Sequence, residues 1–236
     1  MTTSLQLPQH PTSDQPTRGA TPKARARGLA LTAAAILLAA LAGGGCSILP
    51  EASADPTRYY VFDQSDQSDP SDRSDPSPPR GITVAIRSIE LPTYLRNSKS
   101  MVVRVGENEV RYEDYSRWAE PIDAGIQRVI KERLANAEGV TGVLSFPLTA
   151  GETRQLDLRI RVARCEGSAP RGGQAAALFV ANYQVFNEAD GKRLLHAHFT
   201  APALAWDGRD FGELARQLSQ AAALLADDIA KNLPQR

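Results

Sequence analysis

The chain of 236 residues contains few of the side chains that build disulfide scaffolds and metal sites. It has two cysteines and three histidines, which is too few for a disulfide-rich domain or for a zinc site with four cysteine ligands. Aromatic residues make up 6% of the chain, so the core is expected to be aliphatic. Positive and negative side chains number 27 each, so the chain lacks the basic excess that is typical of nucleic-acid-binding proteins.

The longest apolar run lies near the N-terminus and is too short to span a bilayer. Residues 29–42 carry no charge, but a spanning helix needs roughly 20 apolar residues. The run follows a basic cluster of Lys23, Arg25 and Arg27 and precedes three glycines at 43–45. This order of basic, apolar and small residues predicts a signal peptide over residues 1–45 that is removed after export.

Cys46 follows these glycines directly, and the arrangement resembles a bacterial lipoprotein signal. The resemblance implies cleavage between Gly45 and Cys46, acylation of Cys46, and a lipidated tether over residues 46–57. Ser47, where an aspartate would imply retention in the inner membrane, implies the outer membrane. The alternative is an unlipidated signal peptide that is cut nearby, which would leave Cys46 without a role.

The remaining residues, 58–236, predict a single α+β domain. Alternating or β-branched runs predict strands near 58–62, 82–91, 101–105, 110–115, 140–146, 156–162, 176–187 and 194–203. Apolar residues at helical spacing predict one helix from Pro121 to Asn136 and a second that Asp210 caps, with Glu213 completing a capping box. The predicted architecture is two helices packed on one face of a mostly antiparallel sheet.

A low-complexity segment interrupts this domain at residues 63–79, where aspartate recurs with a period of three among serines and prolines. Repeated carboxylates could bind calcium, but calcium loops need a glycine at their sharp turn and this segment has none. The composition therefore predicts a solvated, disordered loop.

The residues that could support catalysis do not form a recognisable site. His196 and His198 share one face of a predicted strand, but the spacing supplies no third metal ligand. No phosphate-binding glycine loop or nucleophile elbow is present. Cys165 ends an alternating strand pattern, which predicts a small, partly buried hydrophobic residue. Neither a catalytic residue nor a metal or cofactor is expected.

A run of basic residues, which we call the arginine stripe, consists of Arg154, Arg159, Arg161 and Arg164. Asp157 lies within it. Two interpretations stay open for the stripe: a solvated sheet face, or a surface for an anionic partner or lipid headgroups.

Four short segments carry the most specific pattern in the chain. They are Tyr59-Tyr60-Val61, Leu91-Pro92-Thr93-Tyr94-Leu95, Arg104-Val105-Gly106-Glu107-Asn108-Glu109 and Arg117-Trp118-Ala119-Glu120-Pro121. In this order they resemble the PqiC-like family of ABC-type transport auxiliary lipoproteins over residues 59–135. The resemblance implies a non-catalytic lipoprotein on the periplasmic face of the outer membrane. It would work with an MCE-domain membrane protein in lipid transport between the membranes and support outer-membrane integrity.

A partner surface is expected where the strand before residue 118 gives way to a helix. The candidate binding residues are Tyr94, Arg104, Asn108, Arg117, Trp118 and Glu120, because aromatic and arginine side chains dominate binding hot spots. A core position is favoured for Trp118, since large aromatic side chains usually pack. An exposed binding role is favoured for Tyr94 and Arg104, whose polar tips need not be buried at a sheet edge.

Other functions stay open on the residues alone. A periplasmic envelope enzyme could use His196, His198 or a serine, and a chaperone lipoprotein for outer-membrane assembly could share a two-helix sandwich. The expected partners are the MCE-domain protein and, through acylated Cys46, outer-membrane lipid. Binding to nucleic acid is not expected, and a homo-oligomer is left open.

Overall fold

The computed structural model describes residues 54–63 and 81–234. The predicted signal peptide, the Cys46 lipidation site, the tether as far as residue 53 and the aspartate-rich segment from residue 64 lie outside the described residues. Within the two described ranges, the chain forms nine strands and three helices. None of these helices is long and apolar enough to cross a bilayer.

The elements occur largely where the sequence predicts them. The strands are β1 (Arg58–Tyr60), β2 (Ile82–Glu90), β3 (Ser100–Arg104), β4 (Val110–Trp118), β5 (Val140–Ser145), β6 (Leu156–Ser168), β7 (Ala176–Asn187), β8 (Arg193–Thr200) and β9 (Leu204–Ala205). The helices are α1 (Thr93–Arg96), α2 (Ile122–Ala135) and α3 (Phe211–Asn232). The sequence patterns predict all of these elements except the short α1 and β9.

All the described strands belong to one mixed sheet built around β6. Strand β6 pairs antiparallel with β7 along one edge and parallel with β2 and then β3 along the other. Strands β8 and β9 pair with β7, β5 flanks β2, and β4 and β1 continue beyond β3. The α+β class is confirmed and the longest pairings are antiparallel, but four of the eight strand pairs are parallel. Turn signals specify only hairpins between consecutive strands, so parallel pairs made across long crossovers are missed.

Helices α2 and α3 pack side by side on one face of the sheet. The Tyr183 hydroxyl of β7 donates a hydrogen bond to Asp228 of α3 at 2.7 Å. Arg133 of α2 donates two hydrogen bonds to Asp227 of α3, at 2.6 and 2.9 Å. The core between helices and sheet is mostly aliphatic, as predicted, and includes the fully buried Val84, Ile126, Val129, Leu158, Val162, Leu214 and Leu225. Each such side chain stabilises the fold by about 1.5–3 kcal/mol through burial.

The opposite face of the sheet, which we call the open face, carries polar side chains. Residues that pair directly across neighbouring strands point to the same face. Across β6, β7 and β8, Arg159 lies opposite Gln184 and then His196, and Arg161 lies opposite Asn182 and then His198. The two arginines and the two histidines are exposed, whereas the buried residues of β6 and β7 alternate with them and point toward the helices.

Helix α3 begins at the predicted cap. The Asp210 carboxylate accepts hydrogen bonds from the backbone N–H groups of Gly212 and Glu213, at 2.9 and 3.1 Å. A capping box also predicts a reciprocal hydrogen bond from the Asp210 backbone N–H to the Glu213 carboxylate, and this part of the prediction is wrong. The Asp210 N–H instead donates to the Asp207 side chain at 2.8 Å, and the Glu213 carboxylate accepts from Arg216.

The thiol of Cys165 lies in the core rather than at its margin. The residue is 2% exposed, and burial raises the pKa of the thiol. A neutral, enclosed thiol behaves as a small hydrophobic group. The predicted packing role is therefore confirmed, with more complete burial than expected.

Candidate functional site

Trp118, at the end of β4, is a core residue. Its ring stacks on Phe62 with the ring centroids 4.4 Å apart and the planes 14° apart, and the side chain is 2% exposed. The backbone N–H of Trp118 donates to the Lys99 carbonyl at 2.7 Å, and the backbone N–H of Ala119 donates to the Tyr60 carbonyl at 2.8 Å. The packing role favoured by the sequence is confirmed, and Trp118 holds β1 against β4.

Glu120 supports the same junction between β4 and α2. Its carboxylate accepts a hydrogen bond from Arg128 of α2, and the same nitrogen of Arg128 donates to the Phe62 carbonyl at 2.7 Å. Glu120 is half-buried. The pair ties the start of α2 to the chain that leaves β1, which is a positioning role rather than a contact surface.

Tyr94 and Arg104 meet on a carboxylate that the sequence patterns do not single out. Glu166 of β6 is 1% exposed; its two oxygens accept from the Tyr94 hydroxyl at 2.8 Å and from Arg104 Nε at 2.6 Å. Burial and the hydrogen bond to Glu166 raise the pKa of Tyr94. The hydrogen bond to Glu166 raises the pKa of Arg104. The expectation that both polar tips are free is wrong, because a buried carboxylate needs these partners.

Two of the candidate residues are exposed. Asn108 lies in the turn between β3 and β4, and Arg117 lies near the end of β4. The turn that carries Asn108 is held by Arg104, whose Nη1 donates to the Glu107 carbonyl at 3.0 Å. The six candidates therefore divide into two that face solvent and four that hold the surrounding structure in place.

Exposed tyrosines accompany Arg117 on strands β1 and β4. Tyr59 is 60% exposed and Tyr115 is 59% exposed, and Tyr59 pairs with Arg117 in the β1–β4 register. Their strand neighbours Tyr60 and Trp118 point toward the helices, so Tyr59 and Arg117 point to the side of the open face. We call Tyr59, Tyr115 and Arg117 the tyrosine edge. Sequence reasoning missed Tyr115, although its position two residues before Arg117 is a usable signal.

A second group of arginines surrounds Asp157 on the open face. Arg87 donates to the Asp157 carboxylate at 2.9 Å, and Arg154 donates to its other oxygen. The guanidinium groups of Arg87 and Arg154 lie 4.3 and 5.2 Å from the centre of the Phe146 ring. Burial alone would raise the pKa of Asp157, but the hydrogen bonds from Arg154 and Arg87 lower it below its ordinary value. Arg154 is therefore engaged within the protein.

The other members of the arginine stripe are exposed. The Arg159 guanidinium lies 4.7 Å from the centre of the Phe186 ring. Arg161 pairs with Glu90 at 2.9 Å in an exposed ion pair. Arg159 and Arg164 have no carboxylate within 4 Å among the residues that the structure describes.

The two histidines lie on the exposed part of the sheet. The ring nitrogens of His198 are each 3.0 Å from a side-chain oxygen, that of Asn182 and that of Thr200. A cavity of about 870 Å³ lies between the ends of α2 and α3, where Arg133, Asp227 and Lys231 line it, and neither histidine lines it. Among residues 54–63 and 81–234, no group of three or more His, Cys, Asp or Glu side chains could hold a metal ion.

Solved structures share this fold. Protein XCC0632 from Xanthomonas campestris, of the DUF330 family, is 16% identical with a TM-score of 0.60, and the match covers 74% of this chain and 93% of that one. A second structure, described as an uncharacterized protein, is 17% identical with a TM-score of 0.57, covering 75% of this chain and 99% of the other. No curated protein sequence matches the chain.

A family model matches most of the chain. It is the ABC-type transport auxiliary lipoprotein component, and it matches residues 60–230. The match includes three of the four short segments in full and extends through β6, β7, β8 and most of α3. This protein therefore belongs to the family of ABC-type transport auxiliary lipoprotein components.

Proposed function

We propose that the protein is a lipid-anchored, non-catalytic auxiliary subunit of an MCE-type system that moves lipids between the two membranes. It would sit on the periplasmic face of the outer membrane and dock its MCE-domain partner through the tyrosine edge. Membership of a transport auxiliary lipoprotein family supports the general role. The observation that carries the docking site is the exposure of Tyr59 and Tyr115, about 60% each, beside Arg117.

The chemistry of the tyrosine edge suits a protein partner. Tyrosine offers a large apolar ring with a polar tip, and arginine offers several hydrogen-bond donors in a planar group. These two residue types are enriched among the side chains that dominate binding energies. Tyr59 and Arg117 lie directly opposite each other in the β1–β4 register, so a partner could contact both at once.

The strands beneath the tyrosine edge are held rigidly. The stack of Phe62 on Trp118 fixes the buried side of β1 and β4. The Tyr112 hydroxyl of β4 donates to the Tyr94 carbonyl at 3.1 Å, which links this strand to the cluster around Glu166. A contact surface whose side chains rest on a fixed backbone loses less conformational entropy on binding. Trp118, Tyr94, Arg104 and Glu120 would thus support the interface without touching the partner.

The proposed anchor is the acylated Cys46. Each buried methylene contributes about 0.8 kcal/mol, and a single acyl chain binds a membrane only marginally. Several chains on Cys46 would hold the protein at the membrane permanently. Only residues 47–54 separate Cys46 from the domain that begins at Asp55.

Co-purification tests the proposed docking site. The full chain carries an affinity tag, is isolated from membranes, and the amount of co-purified MCE-domain protein is measured. We expect Tyr59→Ala combined with Arg117→Ala to abolish co-purification while the thermal midpoint stays unchanged. The matched control is Lys131→Ala, an exposed cation on α2, which should leave the complex intact. An undiminished complex with the double variant would rule out the tyrosine edge.

A further inference from the structure

We propose that the open face is a binding surface for anionic phospholipid headgroups, with Arg159, Arg161 and Arg164 contacting the phosphates. The inference rests on the proposed lipid anchor at Cys46 and does not depend on the MCE-domain partner. It gives the domain a preferred orientation on the membrane, with α2 and α3 turned away from the lipid. The tyrosine edge begins at the β1 margin of the sheet, three strand positions from β6, so it lies at the periphery of this contact and is left for the protein partner.

The open face is basic, although the chain that remains after signal removal is not. Residues 46–236 contain 23 basic and 26 acidic side chains. Arg87, Arg154, Arg159, Arg161 and Arg164 lie on or beside the open face, and the carboxylates that pair with them are Asp157, Glu90 and Glu188. Glu166 lies on the same side of β6, but its charge is balanced by Arg104. Positive charge is therefore concentrated on one face of a domain that is otherwise slightly acidic, and such a face attracts an anionic surface.

The exposed arginines are available for phosphate. Arg159 and Arg164 have no acidic partner among the described residues, and the single partner of Arg161, Glu90, is itself exposed. The Phe186 ring lies beneath the Arg159 guanidinium at 4.7 Å and orients it. Arginine binds phosphate oxygens through two parallel N–H bonds, and an oriented guanidinium loses less entropy in doing so.

The spacing of these arginines suits an extended surface. Because β6 has a bulge between Val162 and Arg164, Arg159 and Arg164 pair with Gln184 and Val180 of β7, which are four residues apart. This corresponds to about 13 Å along a strand. Their guanidinium groups can therefore reach more than one headgroup. An array of phosphates in a bilayer matches this spread, and an acidic protein surface is the competing occupant that the experiment must separate.

A fluorescent label on the open face tests this orientation in the acylated, full mature chain. His196→Cys places a thiol opposite Gln184 and Arg159 in the sheet. Cys46 is blocked by acylation and Cys165 is buried, so an environment-sensitive dye attaches at position 196 alone. The protein is reconstituted into vesicles of phosphatidylcholine alone or of phosphatidylcholine mixed with phosphatidylglycerol. We expect a blue-shifted emission in the mixed vesicles only, and its loss at high salt.

Arginine substitutions in the labelled protein measure the contribution of the open face. The combined change Arg159→Gln and Arg164→Gln should lower the ratio of membrane-engaged to free domain by about fivefold for each arginine. Lys131→Gln, on the exposed side of α2, should leave the ratio unchanged. A dye on Lys131→Cys should show the same emission in both vesicles.

The experiment distinguishes failure of the inference alone, a protein occupant of the open face, and failure of the lipid anchor. Equal emission in both vesicle types, or no effect of the double substitution, would overturn the inference alone. A shift that requires the MCE-domain protein and ignores phosphatidylglycerol would assign the open face to a protein partner and also overturn it. Failure of the protein to float with either vesicle would contradict the lipid anchor, and the inference with it.

Discussion

Arg104 and Glu166 form an ion pair at 2.6 Å in which the Glu166 side chain has no contact with solvent. The pair joins β3 to β6 across 62 residues of sequence. Tyr94 of α1 donates a hydrogen bond to the other oxygen of the Glu166 carboxylate. This cluster fixes β6, which carries most of the arginine stripe, and β3, which pairs with β4 of the tyrosine edge, so its loss should act on the fold before it acts on binding.

Removal of Arg104 should destabilise the domain strongly. Arg104→Met leaves the buried Glu166 carboxylate without its cation, and breaking a buried pair in this way costs about 3–5 kcal/mol. Unfolding in urea measures the change. Arg111→Met is the matched control, because Arg111 pairs with Glu113 at an exposed position, where a pair contributes about 0–1 kcal/mol. Equal losses in the two variants would show that Glu166 does not depend on Arg104.

Truncation of Trp118 should likewise act through the core. Trp118→Ala removes a stacked, buried ring and should lower the free energy of unfolding by about 3–5 kcal/mol. Tyr115→Ala, three residues earlier on the same strand, removes an exposed ring and should change it by less than about 0.5 kcal/mol. Thermal unfolding of both variants distinguishes core from surface. A stable Trp118→Ala domain would contradict the core assignment.

Asp157 should make the fold sensitive to acid. In the folded protein, burial raises the pKa of this carboxyl, but the hydrogen bonds from Arg154 and Arg87 outweigh burial and hold the pKa below its ordinary value. Its contribution to stability is therefore complete above the unfolded pKa, about 3.9, and is lost as the pH falls through the folded value. We expect the unfolding free energy of Asp157→Asn to be lower than that of wild type at neutral pH and to fall less steeply below about pH 4. Parallel pH curves for the two proteins would contradict this role.

The lipid anchor has a chemical test at Cys46. Cys46→Ser should abolish acylation and leave the unprocessed precursor, because lipoprotein processing acts on the modified cysteine. Mass spectrometry of the N-terminal peptide of the wild-type protein should find Cys46 as the acylated first residue. A mature, unacylated N-terminus at another position would contradict the anchor.

Local patterns predicted the elements well because their causes are local. The apolar stripe of α2, the Asp210 cap of α3 and the Asp-Gly turn between β7 and β8 each depend on a few neighbouring residues. Gly191 has φ of +67° in that turn, a left-handed conformation that glycine adopts without the strain a side chain would add. The burial of Trp118 was also predictable, since its size alone favours packing.

The features that sequence reasoning missed depend on distant partners. Nothing near Tyr94 indicates that Glu166, 72 residues later, would accept its hydrogen bond. The parallel pairing of β2 with β5 and β6 depends on crossovers that no turn signal specifies. The exposed members of the candidate interface could therefore be separated from its supporting members only in three dimensions.

Site-specific photo-crosslinking in intact membranes tests the proposed docking most directly. A benzophenone amino acid is placed at position 59 in one sample and at position 131, on the outer side of α2, in another. We expect ultraviolet light to link the chain to its MCE-domain partner from position 59 and not from position 131. Crosslinks to that partner from position 131 alone, or from neither position while the partner is present in the membrane, would contradict docking through the tyrosine edge.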